Sequence, residues 1–443
     1  MKNVTVNEIK TDVDAVDNSG ENLKKPTKVR WGLAFFFFII GVIAYMDRSN
    51  ISIIAKPMMD DLGLDKVQFG MLASLFSLGY ALMQIPSGLL AEKFGPRKMV
   101  TFALIWWSGF TILTGLVKSH GLLYAVRFLF GVGEAPMFPA NAVFNTNWFR
   151  RDEKARASSA LLAGSYFGPV IAPIVTVYIY QFFGWQAVFY IFGLVGILIA
   201  GVWWFIARDY PEIHKLVNKQ EKEYILEGRE IVNTDKAKAP WNTFLKSYRF
   251  WALGLQYFVV LYIITFFLVW LPTYLLEDRG FSLSEMGFAA SLPWLAILIT
   301  VMTGGMISDR LVRKGYSKQI SRSSLAILGL IVFIISMYLA VITVSPYMNV
   351  LWLSICLGSL GFTVVCSWAS ATDLGRNFSG SVSAWMNLWG NLGAFVSPLL
   401  CGWLAQKFGW NITLGLTIIP VFLAAIIWFF VKPDTSLIET IKE

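Results

Sequence analysis

The sequence predicts an all-α membrane protein with twelve transmembrane helices in two six-helix bundles. Three observations carry that reading. Apolar residue types make up 56% of the 443 residues and charged ones only 15%, where a soluble chain carries about one quarter charged. Mean hydropathy is +0.59. The apolar residues also gather into runs of the length a bilayer demands, separated by mostly short polar connections.

A spanning helix needs about 20 predominantly apolar residues. Stretches at 31–56, 67–90, 97–117, 121–147, 155–181 and 185–207 meet or approach that length, as do 248–275, 283–308, 322–343, 347–371, 380–405 and 410–432. Residues 1–30 are polar and read as a disordered cytoplasmic tail. They contain no apolar core followed by a small-residue cleavage site, so the first span acts as the targeting signal. Residues 31–207 form the N-terminal bundle and 248–432 the C-terminal bundle. A cytoplasmic central loop over 208–247, rich in Lys, Glu and Asn, separates them, and 433–443 is a second cytoplasmic tail.

Positive charge orients the chain. Of its 37 Lys and Arg, only Lys56, Lys66, Lys118, Arg279 and Lys407 fall in connections on the side opposite the tails. Arg48 and Arg127 lie inside spans, and all the others share the tail side. Both termini are therefore expected in the cytoplasm, with the protein a multi-pass constituent of the cell (plasma or inner) membrane. The net charge of +9 is topology and gives no reason to expect nucleic acid as a partner. The three cysteines, Cys356, Cys366 and Cys401, sit in apolar runs without a metal-ligand spacing. His120 and His214 lie in polar connections and read as solvent-facing. No metal, cofactor or enzymatic activity is expected, and no phosphate-binding loop motif is present.

Two segments repeat. Gly88 is followed by Glu92, Lys93, Arg97 and Lys98, and Gly305 by Asp309, Arg310, Arg313 and Lys314. Each copy closes the second span of its half, as expected for two homologous halves. The glycines permit close helix approach, and the charges suit a conformational latch. Asp373 and Arg376, at the inner end of span ten, read as a gate pair.

A charge at mid-span costs at least about 2.5–3.5 kcal/mol on insertion scales, and four stand out. Span one carries Asp47 and Arg48 within Tyr45-Met46-Asp47-Arg48-Ser49-Asn50, and span four carries Arg127 and Glu134. The span-four pair is roughly 10 Å apart along its helix, too far to touch. Partners on span one are expected: Asp47 with Arg127 and Arg48 with Glu134.

The two glycine-acid-base loops resemble the signature of the major facilitator superfamily. Tyr45, Asp47, Arg48 and Asn50, with Arg127, Glu134, Ala135, Pro136, Pro139, Ala140 and Asn141, are similar to its anion:cation symporter branch. That branch includes bacterial galactonate, glucarate and hexuronate carriers and the lysosomal sialic-acid carrier. The resemblance implies a proton-coupled importer of a small organic anion working by alternating access. A hexonate, hexarate or uronate is the first expectation. Another carboxylate, such as an aromatic acid or ketogluconate, stays open, as does export or anion exchange. The resemblance assigns Arg48 to the substrate carboxylate and Asp47 and Glu134 to the protons. Tyr45, Tyr80 ahead of Gln84-Ile85-Pro86, Trp368, Ser370 and Asn387 are the further candidates for contact with substrate. Span five reads Gly164-Ser165-Tyr166-Phe167-Gly168-Pro169, without the glutamine of the galactonate carriers, which points away from galactonate itself. The expected partners are substrate, protons and the lipid bilayer, with the chain a monomer.

Overall fold

The computed structural model describes residues 25–229 and 239–437. Residues 1–24 of the tail expected over 1–30, part of the central loop and the last six residues lie outside the described residues. Eleven helical stretches are long and apolar enough to cross a membrane. One of them, Pro346–Phe408, runs 63 residues and is divided by a tight turn at Arg376–Phe378, so twelve crossings result.

The N-terminal half comprises α1 (Val29–Ile53), α2 (Lys66–Phe94), α3 (Pro96–Leu116), α4 (His120–Trp148), α5 (Lys154–Phe183) and α6 (Trp185–Ile206). The C-terminal half comprises α7 (Tyr248–Glu277), α8 (Leu283–Arg313), α9 (Leu325–Ile342), α10 (Pro346–Gly375), α11 (Ser379–Phe408) and α12 (Trp410–Phe430). Capping residues mark where the chain enters a helix. The Asp65 carboxylate accepts from the Gln68 backbone at the start of α2, and Ser282 does the same for Glu285 at α8. The helix α4 is interrupted at Ala135 and Pro136. Proline lacks an N–H and crowds the preceding turn, so the first segment stops at Glu134, which places that carboxylate at a break.

Helix contact in lipid has little hydrophobic drive and relies on close backbone approach. A Cβ on Gly131 would stand 2.1 Å from the Phe76 carbonyl oxygen, and one on Gly79 2.2 Å from that of Phe128. Only hydrogen at these positions lets α2 and α4 lie this close, and that contact sets the depth of the charged residues on α4.

The halves meet through α2 with α11 and α5 with α8. Their closest approach is at the end opposite the termini. Gly70 abuts the Pro398 carbonyl and Gly402 the Lys66 carbonyl. Lys66 pairs with Glu277 at 3.0 Å, Trp410 donates to the same carboxylate at 3.0 Å, and Gln181 donates to Ser284 at 2.7 Å. On the termini side of this seal lies a central cavity lined by both halves.

Two polar connections differ from expectation. The chain ahead of α1 is held rather than free from Thr27 onward. Thr27 donates to Glu221 at 2.5 Å, and the Arg30 guanidinium pairs with Glu221 at 2.8 Å and Glu153 at 3.0 Å. Glu221 is fully buried on a helix of the central connection, Lys219–Gly228, so part of that loop is folded onto the N-terminal half. The histidines are also not free in solvent, His120 being half-buried and His214 buried. His214 is buried, edge-on to Trp148, with Nε2 at 2.9 Å from the Ile206 carbonyl. His120 Nε2 lies 2.8 Å from the Leu62 carbonyl. Both satisfy backbone oxygens left over at helix ends.

Replacing Gly131 by Val forces α2 and α4 apart, an overpacking cost of about 1–3 kcal/mol. The thermal midpoint of the detergent-solubilised variant should fall by several degrees, while Gly109→Val, where a Cβ meets nothing within 4 Å, should leave it in place.

Candidate functional site

The cavity between the halves measures about 210 Å³, below the about 300–1,000 Å³ of sites for drug-sized ligands, and so is scaled to a small solute. Tyr45, Arg48, Tyr80, Arg127, Trp368 and Asn387 line it. Asp47 and Glu134 stand behind that lining, and both are buried. Consecutive helical residues point about 100° apart, so α1 presents Arg48 to the cavity and Asp47 to the interior of its own bundle.

Arg48 is the centre of the N-terminal wall. Its guanidinium carbon lies 4.4 Å from the Tyr45 ring centroid, 4.7 Å from Tyr80 and 5.0 Å from Phe76. Three aromatic faces thus hold one cation. Its Nε donates to Glu134 Oε1 at 2.6 Å, the expected charge-assisted pair. Its Nη2 is buried without a hydrogen-bond partner, as is Glu134 Oε2. A planar guanidinium offers paired N–H groups matched to a carboxylate, so the free edge of Arg48 is a ready anion site.

The other expected pair is not formed. No ion pair joins Asp47 to Arg127 among the described residues. Both Asp47 oxygens and Arg127 Nε are without partners. Asp47 stays within electrostatic range of Arg127 and Glu134, with the Trp107 indole beside it. Arg127 instead lies over Phe130 at 4.6 Å and Phe76 at 5.6 Å. Aromatic faces compete successfully for this cation, and the fixed depth of α4 keeps it from closing on Asp47.

The C-terminal wall carries no charge among the residues that line the cavity. Trp368, 40% exposed, donates through Nε1 to the Tyr257 hydroxyl at 2.9 Å. Asn391 donates to Gln84 across the two halves at 3.3 Å and to the Asn387 carbonyl at 2.8 Å. Ser370 is fully buried and does not line the cavity; it lies on another face of α10 from Trp368. Gln84, Ser165, Tyr166, Tyr257, Thr265 and Asn391 line it without having been singled out in the sequence. For Gln84, Tyr257 and Asn391 the signal was available: an amide or a phenol within an apolar run needs a polar neighbour.

The repeated loops sit at the termini end and serve their own halves. The Arg97 backbone donates to Asp209 at 2.8 Å, and its guanidinium donates to the Trp204 carbonyl at 2.6 Å and covers that ring at 4.1 Å. These contacts tie α3 to the end of α6. Gly88 lies against Pro139, and Glu92 is exposed. In the second copy Gly305 faces Val365, while Asp309 and Arg310 are exposed. Asp373, expected to face Arg376, instead holds Lys318 at 2.8 Å and Arg322 at 2.6 Å, since the turn after α10 carries Arg376 into a left-handed backbone conformation. The three cysteines are free and buried.

This architecture is shared. A solved bacterial homologue of the human lysosomal transporter Spinster, in an inward-facing and unoccupied conformation, superposes with a TM-score of 0.76 at 18% identity, covering 92% of this chain and 97% of that one. The probable galactarate/D-glucarate transporter GudP of Bacillus subtilis (strain 168) is 33% identical over 87% of this chain and 88% of its own length. Its namesake in Escherichia coli (strain K12) is 31% identical over 90% and 92%. The sequence profile of the Major Facilitator Superfamily matches residues 37–398. With two six-helix halves around a central cavity, and relatives of this kind along nearly its whole length, the chain belongs to the Major Facilitator Superfamily, a family of membrane transporters and not of enzymes.

Proposed function

We propose that this protein imports a small sugar-acid anion together with protons, by alternating access at the cavity between its halves. The observation that carries the reading is Arg48: a cation caged by three aromatic rings, paired on one edge with Glu134 and unsatisfied on the other. An anion without such a partner would be left desolvated in the cavity. The names of the relatives favour a six-carbon sugar acid among the carboxylates that would fit. The excess of Lys and Arg on the termini side supports a cytoplasmic location for both tails, and the seal at Gly70 and Gly402 then lies on the outer side.

The shared guanidinium supplies the coupling. Ionised Glu134 holds Arg48 and competes with the incoming carboxylate. A proton on Glu134 releases Arg48 to the substrate, so proton and anion favour each other's binding, and the effect is reciprocal by linkage. Asp47, unpaired and behind the same wall, is the second proton acceptor in this reading.

Three outcomes test it. Arg48→Ala, inserted normally in the membrane, should lose galactarate and glucarate binding by at least about tenfold, the worth of a charge-assisted hydrogen bond; wild-type affinity in that variant refutes the role of Arg48. In proteoliposomes, uptake should rise as the outside is acidified and collapse with a protonophore, and uptake that follows sodium alone argues against proton symport. Glu134→Gln, a neutral mimic of the protonated acid, should bind substrate with reduced pH dependence yet fail to accumulate it against a gradient. A Glu134→Gln carrier that concentrates substrate as the wild type does removes Glu134 from the coupling.

A further inference from the structure

We propose that Arg127 is a second anchor for the cargo and that the site selects dianionic acids, with one carboxylate on Arg48 and the other on Arg127. The inference rests on the proposed function above and narrows its substrate class. Arg127 is 2% exposed and lines the cavity. No hydrogen bond or ion pair reaches its guanidinium among the described residues, and its Nε is buried and unpartnered. Asp47 and Glu134 lie within electrostatic range but neither is bonded to it, and a buried cation without a hydrogen-bonded partner is costly. Here it faces the space that the cargo enters, so an anion arriving there offsets that cost.

Distance permits a diacid and charge favours one. Arg48 and Arg127 both lie on Phe76, at 5.0 Å and 5.6 Å from its centroid, so the two cations are within about 11 Å of each other. The carboxyl carbons of an extended six-carbon diacid are roughly 6 Å apart, by the reach of about 3.5 Å for every three backbone bonds. With a hydrogen bond of about 2.8 Å added at each end, the extended acid reaches roughly the upper limit of that separation, and a bent one meets a shorter one. The charged groups around Asp47 are Glu134, Arg127 and the adjacent Arg48, and those around Glu134 are Arg48, Arg127 and Asp47. The four sum to zero when ionised. Protons on both acids leave two positive charges, which one dianion neutralises. A monoanion would leave one arginine bare in the closed cavity.

The test compares galactarate with galactonate, acids of equal chain length bearing two carboxylates or one. With purified full-length protein, binding affinity is measured for both, and uptake of each is followed in proteoliposomes. Wild type should prefer galactarate by at least about tenfold. In Arg127→Gln the ratio of the two affinities should fall at least about tenfold, and Arg127→Lys, which keeps the charge, should retain a preference for galactarate. Equal affinity of wild type for the two acids, or an unchanged ratio in Arg127→Gln, overturns the assignment of Arg127 while leaving the carrier function standing. Binding and uptake of neither acid overturns the proposed function and this inference with it. A potassium diffusion potential supplies the charge count: galactarate uptake with two protons moves no net charge and should not respond to it. Uptake that responds strongly contradicts the two-charge balance.

Discussion

An arginine and a glutamate 2.6 Å apart in the middle of a bilayer constrain nearly everything around them. Either ion alone is costly at that depth, and α1 and α4 present them to each other in one register. The close backbone contact of α2 with α4 at Gly79 and Gly131 and the interruption of α4 at Pro136 hold Glu134 at that depth. Tyr45, Phe76 and Tyr80 close around the guanidinium and leave it stable with one edge free. The pair thus lowers the cost of inserting the N-terminal half, and in the proposed function it is also the part that receives the anion.

The two walls of the cavity divide the work. The N-terminal wall holds Arg48 and Arg127 with their acids behind them. The C-terminal wall offers an indole, a phenol and amides, Trp368, Tyr257, Asn387 and Asn391; the phenol and the amides can donate to or accept from hydroxyl groups, and the indole only donates. A cargo with charge on one part and hydroxyls on another therefore touches both halves at once. The Gln84–Asn391 bond shows that the halves also satisfy each other directly at the cavity wall.

Much of this was legible in the sequence because the bilayer imposes strict rules. Span lengths, the six-plus-six division and the Arg48–Glu134 pair follow from the length of apolar runs and the cost of buried charge. What escaped the sequence depends on side-chain direction in three dimensions. Asp47 and Arg127 are complementary in charge, yet the rings of Phe76 and Phe130 capture the arginine. Ser370 is near Trp368 in sequence but on a different face of α10. The link from Arg30 to Glu221 joins residues 191 apart, and no local pattern announces it. Asp373 finds Lys318 and Arg322 because the end of α10 turns back toward the start of α9.

At the end opposite the termini, the seal between the halves is made partly of bare backbone. Gly70 rests on the Pro398 carbonyl and Gly402 on that of Lys66, with no side chain between them. Such a seal has no slack, and a single added methyl group acts as a wedge driven into a closed door. Ala at either glycine disfavours this closed seam while altering no residue that lines the cavity. These two positions give separate control over which way the carrier faces, and offer a handle for trapping the opposite state for structure determination or for raising conformation-specific binders.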